Sequence, residues 1–216
     1  MRSDSEQSGE STLGRVEVFP WSTLLLTGIA TIDQQHERLV DLLNQLAAEY
    51  VVTVDHARVL GIIEALADYA VYHFETEELI WRAELPGDVL ALHQRSHADF
   101  ADKISAFRKQ ASDPATLAES LLGYLTEWLA FHILESDRQL AWIVLAMRRG
   151  SDFAAAKAQV ESRMLSEDGR LSRVIMSLYQ RMSTTALSLI RSQEIDAQRT
   201  SRAFQADKSE LEQDLL

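Results

Sequence analysis

Five histidines and two acids in this chain fall where a helix would bury them. After Val59 the apolar positions Ile62 and Ile63, Leu66 and Ala70 keep a three-four rhythm, and its next two steps are His73 and Glu77. At about 100° per residue these two lie roughly 40° apart on the buried stripe. A second stripe runs Leu90, His93, His97, Phe100, Ile104 and Phe107, with Gln94, Arg95, Asp99 and Lys103 on its wet face. His36 leads a third, through Leu39, Leu43, Leu46 and Tyr50, and a fourth runs Leu121, Leu125 or Trp128, then His132. Asp137 follows His132 by five steps, about 140° round an ideal helix. It either reaches in from the flank or is carried in by a local π-type widening.

A single histidine on an apolar helix face is ordinarily a hydrogen-bonded core residue. Four helix faces that all aim imidazole at one core are a different case. Two carboxylates join them, and no Arg or Lys lies on these stripes. Burying unpaired carboxylates is strongly unfavourable. A divalent metal supplies the missing positive charge. The chain has no cysteine, which excludes thiolate zinc sites and disulfides. Mixed imidazole and carboxylate donors suit iron, manganese or zinc. Five nitrogens and two carboxylates exceed the needs of one ion. Two ions bridged by Glu77 and Asp137 would use every donor, with three histidines on one ion and two on the other. The second ion would keep an open position for a small molecule.

Long helices must carry these residues. The spacing predicts an all-α protein with helices from about Asp33 to Tyr50, Asp55 to Glu84, Asp88 to Gln110 and Pro114 to Arg149. Asp113-Pro114 is a helix-start signal, an acid cap followed by proline in the first turn. Short connections between amphipathic helices imply an up-down-up-down four-helix bundle. The apolar segment before the first helix contains Pro20 and Gly28 and reads as an extended arm on the bundle. The organisation expected is a polar, disordered lead over 1–15, the bundle over 16–149, and a helical extension over 150–216. In that extension a short helix near residues 151–169 precedes a heptad-like run of Leu171, Ile175, Leu178, Met182, Thr185 and Leu189. The run, within 171–195, could join two chains as a coiled coil or pack as an extra helical pair on the bundle.

The formal net charge of −12 argues against nucleic acid and against an anionic membrane surface as partners. No apolar run approaches bilayer length, and the first residues lack the apolar stretch of a secretory signal. With no cysteine, this fits a cytoplasmic location.

The segments "TGIATIDQQHERLVDLLNQL", "YAVYHFETEE", "LHQRSHADF" and "LTEWLAFHILESD" resemble hemerythrin, specifically the bacterial hemerythrin domains, over residues 16 to about 145. The resemblance implies a four-helix bundle with a non-haem di-iron centre that binds O2 reversibly. It assigns His93, His97 and His132 to the coordinatively full iron and His36 and His73 to the iron with the vacancy. Glu77 and Asp137 would bridge the irons, along with a solvent-derived oxo or hydroxo group. Leu39, Phe74, Trp81, Trp128 and Leu129 would surround the O2 pocket. Two positions depart from the family pattern: Trp81 stands where the family usually carries Met, and Leu85 precedes Pro86 where the family usually has Tyr. Neither is a ligand, but Trp81 bears on access to the pocket. The resemblance and the appended heptad segment together predict an O2 or redox sensor module, able to precede an output domain. An O2 store or carrier is the alternative, and a peroxide- or NO-consuming enzyme a further one. The expectation for these residues is ligand binding rather than catalysis.

Overall fold

The computed structural model describes residues 17–52, 56–110 and 113–166, and beyond them residues 170, 173–175, 177–179, 181, 185, 188, 192, 199, 200 and 204. Among the described residues every regular element is helical. The long helices are α1 (Ala30–Val52), α2 (His56–Glu84), α3 (Gly87–Gln110) and α4 (Pro114–Phe131). A π-helical segment, His132–Asp137, leads from α4 into α5 (Arg138–Arg148), and α6 (Phe153–Leu165) follows. The last bundle helix, expected as a single α-helix, is therefore three segments. Its backbone stays right-handed helical through both junctions. α1 packs on α2 and α4, and α3 closes the ring against both α2 and α4. The predicted start of α4 is present: Asp113 accepts from the Thr116 amide at 3.0 Å, with Pro114 in the first turn.

Apolar side chains form two clusters. One contains Leu39, Leu43, Leu46, Val59, Leu66, Phe74, Phe100, Leu121, Leu125 and Leu129. The other contains Ile29, Ile32, Trp81, Leu85, Leu90, Leu140, Ile143 and Val144 with Ala156, Val160 and Met164 of α6. The chemistry-bearing residues fall between them on every helix. On α1 the order is Ile32, His36, Leu39, and on α3 it is Leu90, His93, His97, Phe100. The polar residues are thus one layer in a bundle that is apolar above and below.

The arm goes deeper than a strap lying on the surface. Val18 and Phe19 are core residues, and Thr23–Leu25 forms a 3-10 turn. Asn44 on α1 holds the arm, accepting from the Val18 and Phe19 amides at 3.0 Å each and donating to the Phe19 carbonyl at 2.8 Å. Gly28 then turns the chain into α1 with φ of 92°, a left-handed conformation that favours glycine, and a Cβ there would lie 3.1 Å from Leu145 Cδ1. Asp33 locks the turn by accepting from the Thr27 amide and hydroxyl at 2.7 Å and from the Gly28 amide at 3.2 Å.

Beyond the bundle, α6 matches the short helix expected there. Asp152 caps it by accepting from the Ala155 amide at 2.8 Å, and Ala156, Val160 and Met164 turn inward at four-residue spacing. Of the heptad-like run, Leu171, Met182 and Leu189 lie outside the described residues, as does the polar lead. Leu178 is half exposed, and its neighbour Tyr179 stacks on Phe19 of the arm with ring centroids 5.3 Å apart.

Candidate metal centre

All seven predicted ligand residues meet in the polar layer, none more than 4% exposed. α1 brings His36, α2 brings His73 and Glu77, α3 brings His93 and His97, and the π segment brings His132 and Asp137. Of the two ways Asp137 could reach the core, the chain uses the widening. The Arg138 amide donates to the carbonyl of Ile133, an i to i+5 bond that defines a π turn. That extra residue per turn aligns His132 with Asp137, and His132 Nε2 lies 3.1 Å from Asp137 Oδ1.

Asp137 faces two ways. Oδ1 is near His132 and 3.5 Å from His93 Nε2, while Oδ2 is 3.2 Å from His36 Nε2. Glu77 is similarly central, with Oε2 3.3 Å from both His93 and His97 Nε2 and 3.7 Å from His73 Nε2. Its Oε1 is 3.9 Å from His36 Nε2. The donors form two overlapping groups, Glu77 with His93, His97 and His132, and Glu77 with His36, His73 and Asp137, each with its atoms within 4.8 Å of one another. The first group has three histidines and the second two.

These atoms are close without satisfying one another. Both ring nitrogens of His36, Nε2 of His73, Oε1 of Glu77 and both oxygens of Asp137 are buried and have no hydrogen-bond partner. Orphaned buried polar atoms are strongly unfavourable, and here they share one small volume. His97 Nε2 and His132 Nε2 sit 3.1 Å apart, so without a cation one ring must turn a proton inward to bond the other. A cation accepting from both removes that need, so the residues present fit a bound metal.

The outward nitrogens are held by partners. His73 Nδ1 donates to Gln35 Oε1 at 3.0 Å, and Gln35 donates in turn to Thr76 Oγ1 at 3.1 Å. His97 Nδ1 donates to the Glu78 carboxylate at 3.2 Å, and His93 Nδ1 lies 3.0 Å from Ser136 Oγ. A donating Nδ1 leaves the Nε2 lone pair free to face the core, the tautomer a metal ligand needs. Sequence reasoning did not find Gln35, Glu78 and Ser136 as partners. Each directly precedes or follows a ligand in the chain, the one signal that could have marked them.

Electrostatics agree. Burial holds His36 down to about 4 and His73 down to about 3, only partly offset by the charge of Glu77. Burial likewise drives His132 well below the usual imidazole range. These rings are neutral and need lose no proton to bind a cation. Burial pushes the Glu77 carboxyl up, but the surrounding imidazoles, His73 foremost and then His93, His97 and His36, hold it well below the usual carboxylate range. Burial and then the Glu77 charge push Asp137 well above that range.

The residues expected around a pocket divide between the two apolar layers. Phe74 stacks on His97 at 3.9 Å and Trp128 on His132 at 4.1 Å, with Leu39 and Leu129 in the same cluster. Trp81 belongs to the opposite cluster, fully buried, edge-on to His93 at 6.3 Å, with its indole N–H unpartnered.

Comparison with known proteins agrees with this geometry. Residues 27–141 match the hemerythrin HHE cation binding domain. A bacteriohemerythrin of Pseudomonas aeruginosa is 32% identical over 117 residues, covering 54% of this chain and 75% of that protein. One of Stenotrophomonas maltophilia is 32% identical over 122 residues, 56% of this chain and 78% of its own. One of Clostridium acetobutylicum is 29% identical over 128 residues, 56% of this chain and 98% of its own. The matched span begins at the Thr27–Asp33 lock and ends just past Asp137, so it encloses the whole ligand layer, and this chain belongs to the hemerythrin family.

Proposed function

We propose that the polar layer holds two iron ions, binds O2 at one of them, and acts as a sensor module that signals through α5 and α6 toward the C-terminal extension. His93, His97 and His132 would hold one iron, and His36 and His73 the other. Glu77 and Asp137 would hold both. The observation that carries this reading is the two-sided Asp137 carboxylate, with Oδ1 at 3.1 Å from His132 and Oδ2 at 3.2 Å from His36. A single ion would leave one side of it unused. Iron is chosen over manganese or zinc because the chain belongs to the hemerythrin family. When bound, a ferrous pair supplies two electrons that O2 can take up reversibly.

The chain's own residues then have defined tasks. Gln35 and Glu78 keep the Nε2 atoms of His73 and His97 turned inward. Phe74 and Trp128 cover the faces of His97 and His132, and Leu39 and Leu129 extend that apolar wall, which excludes water. With two histidines against three, the His36–His73 side is the one left with room for a diatomic ligand. Trp81 closes the other apolar layer where a more flexible side chain would leave slack.

Sensing is supported by connectivity. Asp137 is followed directly by α5, and α5 carries α6 on its outer face. A change in how Asp137 is held would therefore pass along α5 to the α6 packed on it. Distances between spin labels on α6 and α2, measured in the full chain, should differ between the diferrous and oxidised states. Identical distances in both states would remove the sensor reading. Storage is favoured by a different observation, the near-complete burial of the ligand layer between two apolar clusters. That reading expects slow autoxidation and O2 binding unaffected by removal of residues 170–216.

A further inference from the structure

A second site lies where the arm, α5 and α6 meet. A cavity of about 450 Å³ opens there, lined by Arg138, Arg149, Arg163, Trp142, Leu24 and Leu145 among others. It is outside the metal layer and includes none of the seven ligand residues. Its volume is in the range of small-molecule pockets.

Three arginines at one cavity are unexpected in a chain with 33 acids against 21 basic residues. None of the three has a carboxylate within ion-pair distance among the described residues, although Arg58, Arg82, Arg108 and Arg148 each have one. Arg138 is the unusual member. It is 4% exposed, its Nη1 donates to the Leu24 carbonyl at 3.0 Å, and its Nε is buried without a partner. Arg163 stands over the Trp142 ring at 3.7 Å and Arg138 is 5.0 Å from the same ring, so one indole holds two cations near each other. Cation–π attraction explains either contact alone. It does not explain two like charges drawn to one ring with no carboxylate at ion-pair distance among the described residues.

We propose that this cavity binds a small phosphate monoester, with its phosphate on Arg138, Arg149 and Arg163 and its apolar part against Leu24, Leu145 and the rim of Trp142. Phosphate is chosen over carboxylate on charge and shape. Guanidinium forks match phosphate oxygens, and a near-dianion balances three arginines better than a monoanion does. The apolar wall and the volume exceed what an inorganic ion fills.

The test is calorimetry on the full-length, iron-loaded protein with phenyl phosphate, inorganic phosphate and benzyl alcohol as probes. Phenyl phosphate should bind at one site per chain, at least about tenfold tighter than inorganic phosphate, and benzyl alcohol should give no heat. Arg149→Gln and Arg163→Gln alter exposed side chains away from the metal layer, and each should weaken phenyl phosphate binding at least about tenfold while leaving iron content unchanged. Arg138→Gln should abolish it. Because Arg138 also holds the arm, the two exposed variants carry the test if that protein does not fold. No binding of phenyl phosphate would overturn the proposal. So would binding that survives both exposed substitutions, since it would then belong to the metal centre or to nonspecific surface charge.

Discussion

Glu77 and Asp137 are both fully buried acids in one core, yet their surroundings drive them in opposite directions. Glu77 is ringed by imidazoles that hold its carboxyl low, while burial and then the Glu77 charge push Asp137 up. The layer without metal holds buried acids with unpartnered oxygens, wrapped in apolar side chains, and a cation is what it lacks. His73→Ala removes a donor from the two-histidine side, and iron should fall from about two per chain to one or none by metal analysis. Two irons retained in that variant would show the ligand assignment to be wrong. A complementary change, Glu77→Leu with Asp137→Leu, should abolish iron binding yet raise the stability of the metal-free chain by roughly 1–3 kcal/mol in urea unfolding, because buried charge is replaced by apolar volume. A less stable double variant would mean the acids help hold the bundle together without metal. The histidines were legible in the sequence because each continues an apolar stripe. Gln35, Glu78 and Ser136 were not, because a hydrogen bond to Nδ1 depends on how two helices are rotated against each other, and no stripe records that.

Among the elements, the helices and the Asp113 cap were readable from spacing and punctuation. The π segment was readable only as one of two options. A five-residue offset says that His132 and Asp137 cannot both face inward on an ideal α-helix, but it does not say whether backbone or side chain yields. The backbone yields here, as the Arg138 to Ile133 bond records. The arm was expected to be extended and to lie on the bundle, because its apolar stretch contains Pro20 and Gly28. Val18 and Phe19 are buried nonetheless, since Asn44 supplies the backbone partners that an irregular segment needs before it can leave water. Asn44→Ala leaves the Val18 and Phe19 amides without acceptors in the core. It should cost roughly 2–4 kcal/mol in urea unfolding, with helix content by circular dichroism unchanged at low denaturant. A loss below about 0.5 kcal/mol would mean that the arm is not docked in solution.

For the molecule as a whole, the layered arrangement couples metal to stability. Iron held in this layer would need four separate chain regions assembled, so it should stabilise the folded state by mass action. At free iron about a hundredfold above its dissociation constant the gain is roughly 2.7 kcal/mol. A thermal melt should shift upward on anaerobic loading and return when a chelator strips the metal, whereas coincident melts would mean iron sits on the surface. The family's bundle was legible in the sequence from residue 16 to about 145, and the family match covers residues 27–141. The extension was less so. Its heptad-like spacing fits a coiled coil, yet Tyr179 stacks on Phe19 of the same chain, a contact between residues 160 positions apart that periodicity cannot foresee.

The central claim is a pair of irons that meets O2 in the polar layer. Its most direct test is an anaerobic optical titration of the metal-free chain with ferrous iron, followed by admission and removal of O2. About two irons should bind per chain, and a visible charge-transfer band should grow with O2, then either fade on its removal or pass to a ferric spectrum. A chain that binds a single iron or none, or a loaded protein whose spectrum ignores O2, would contradict the account.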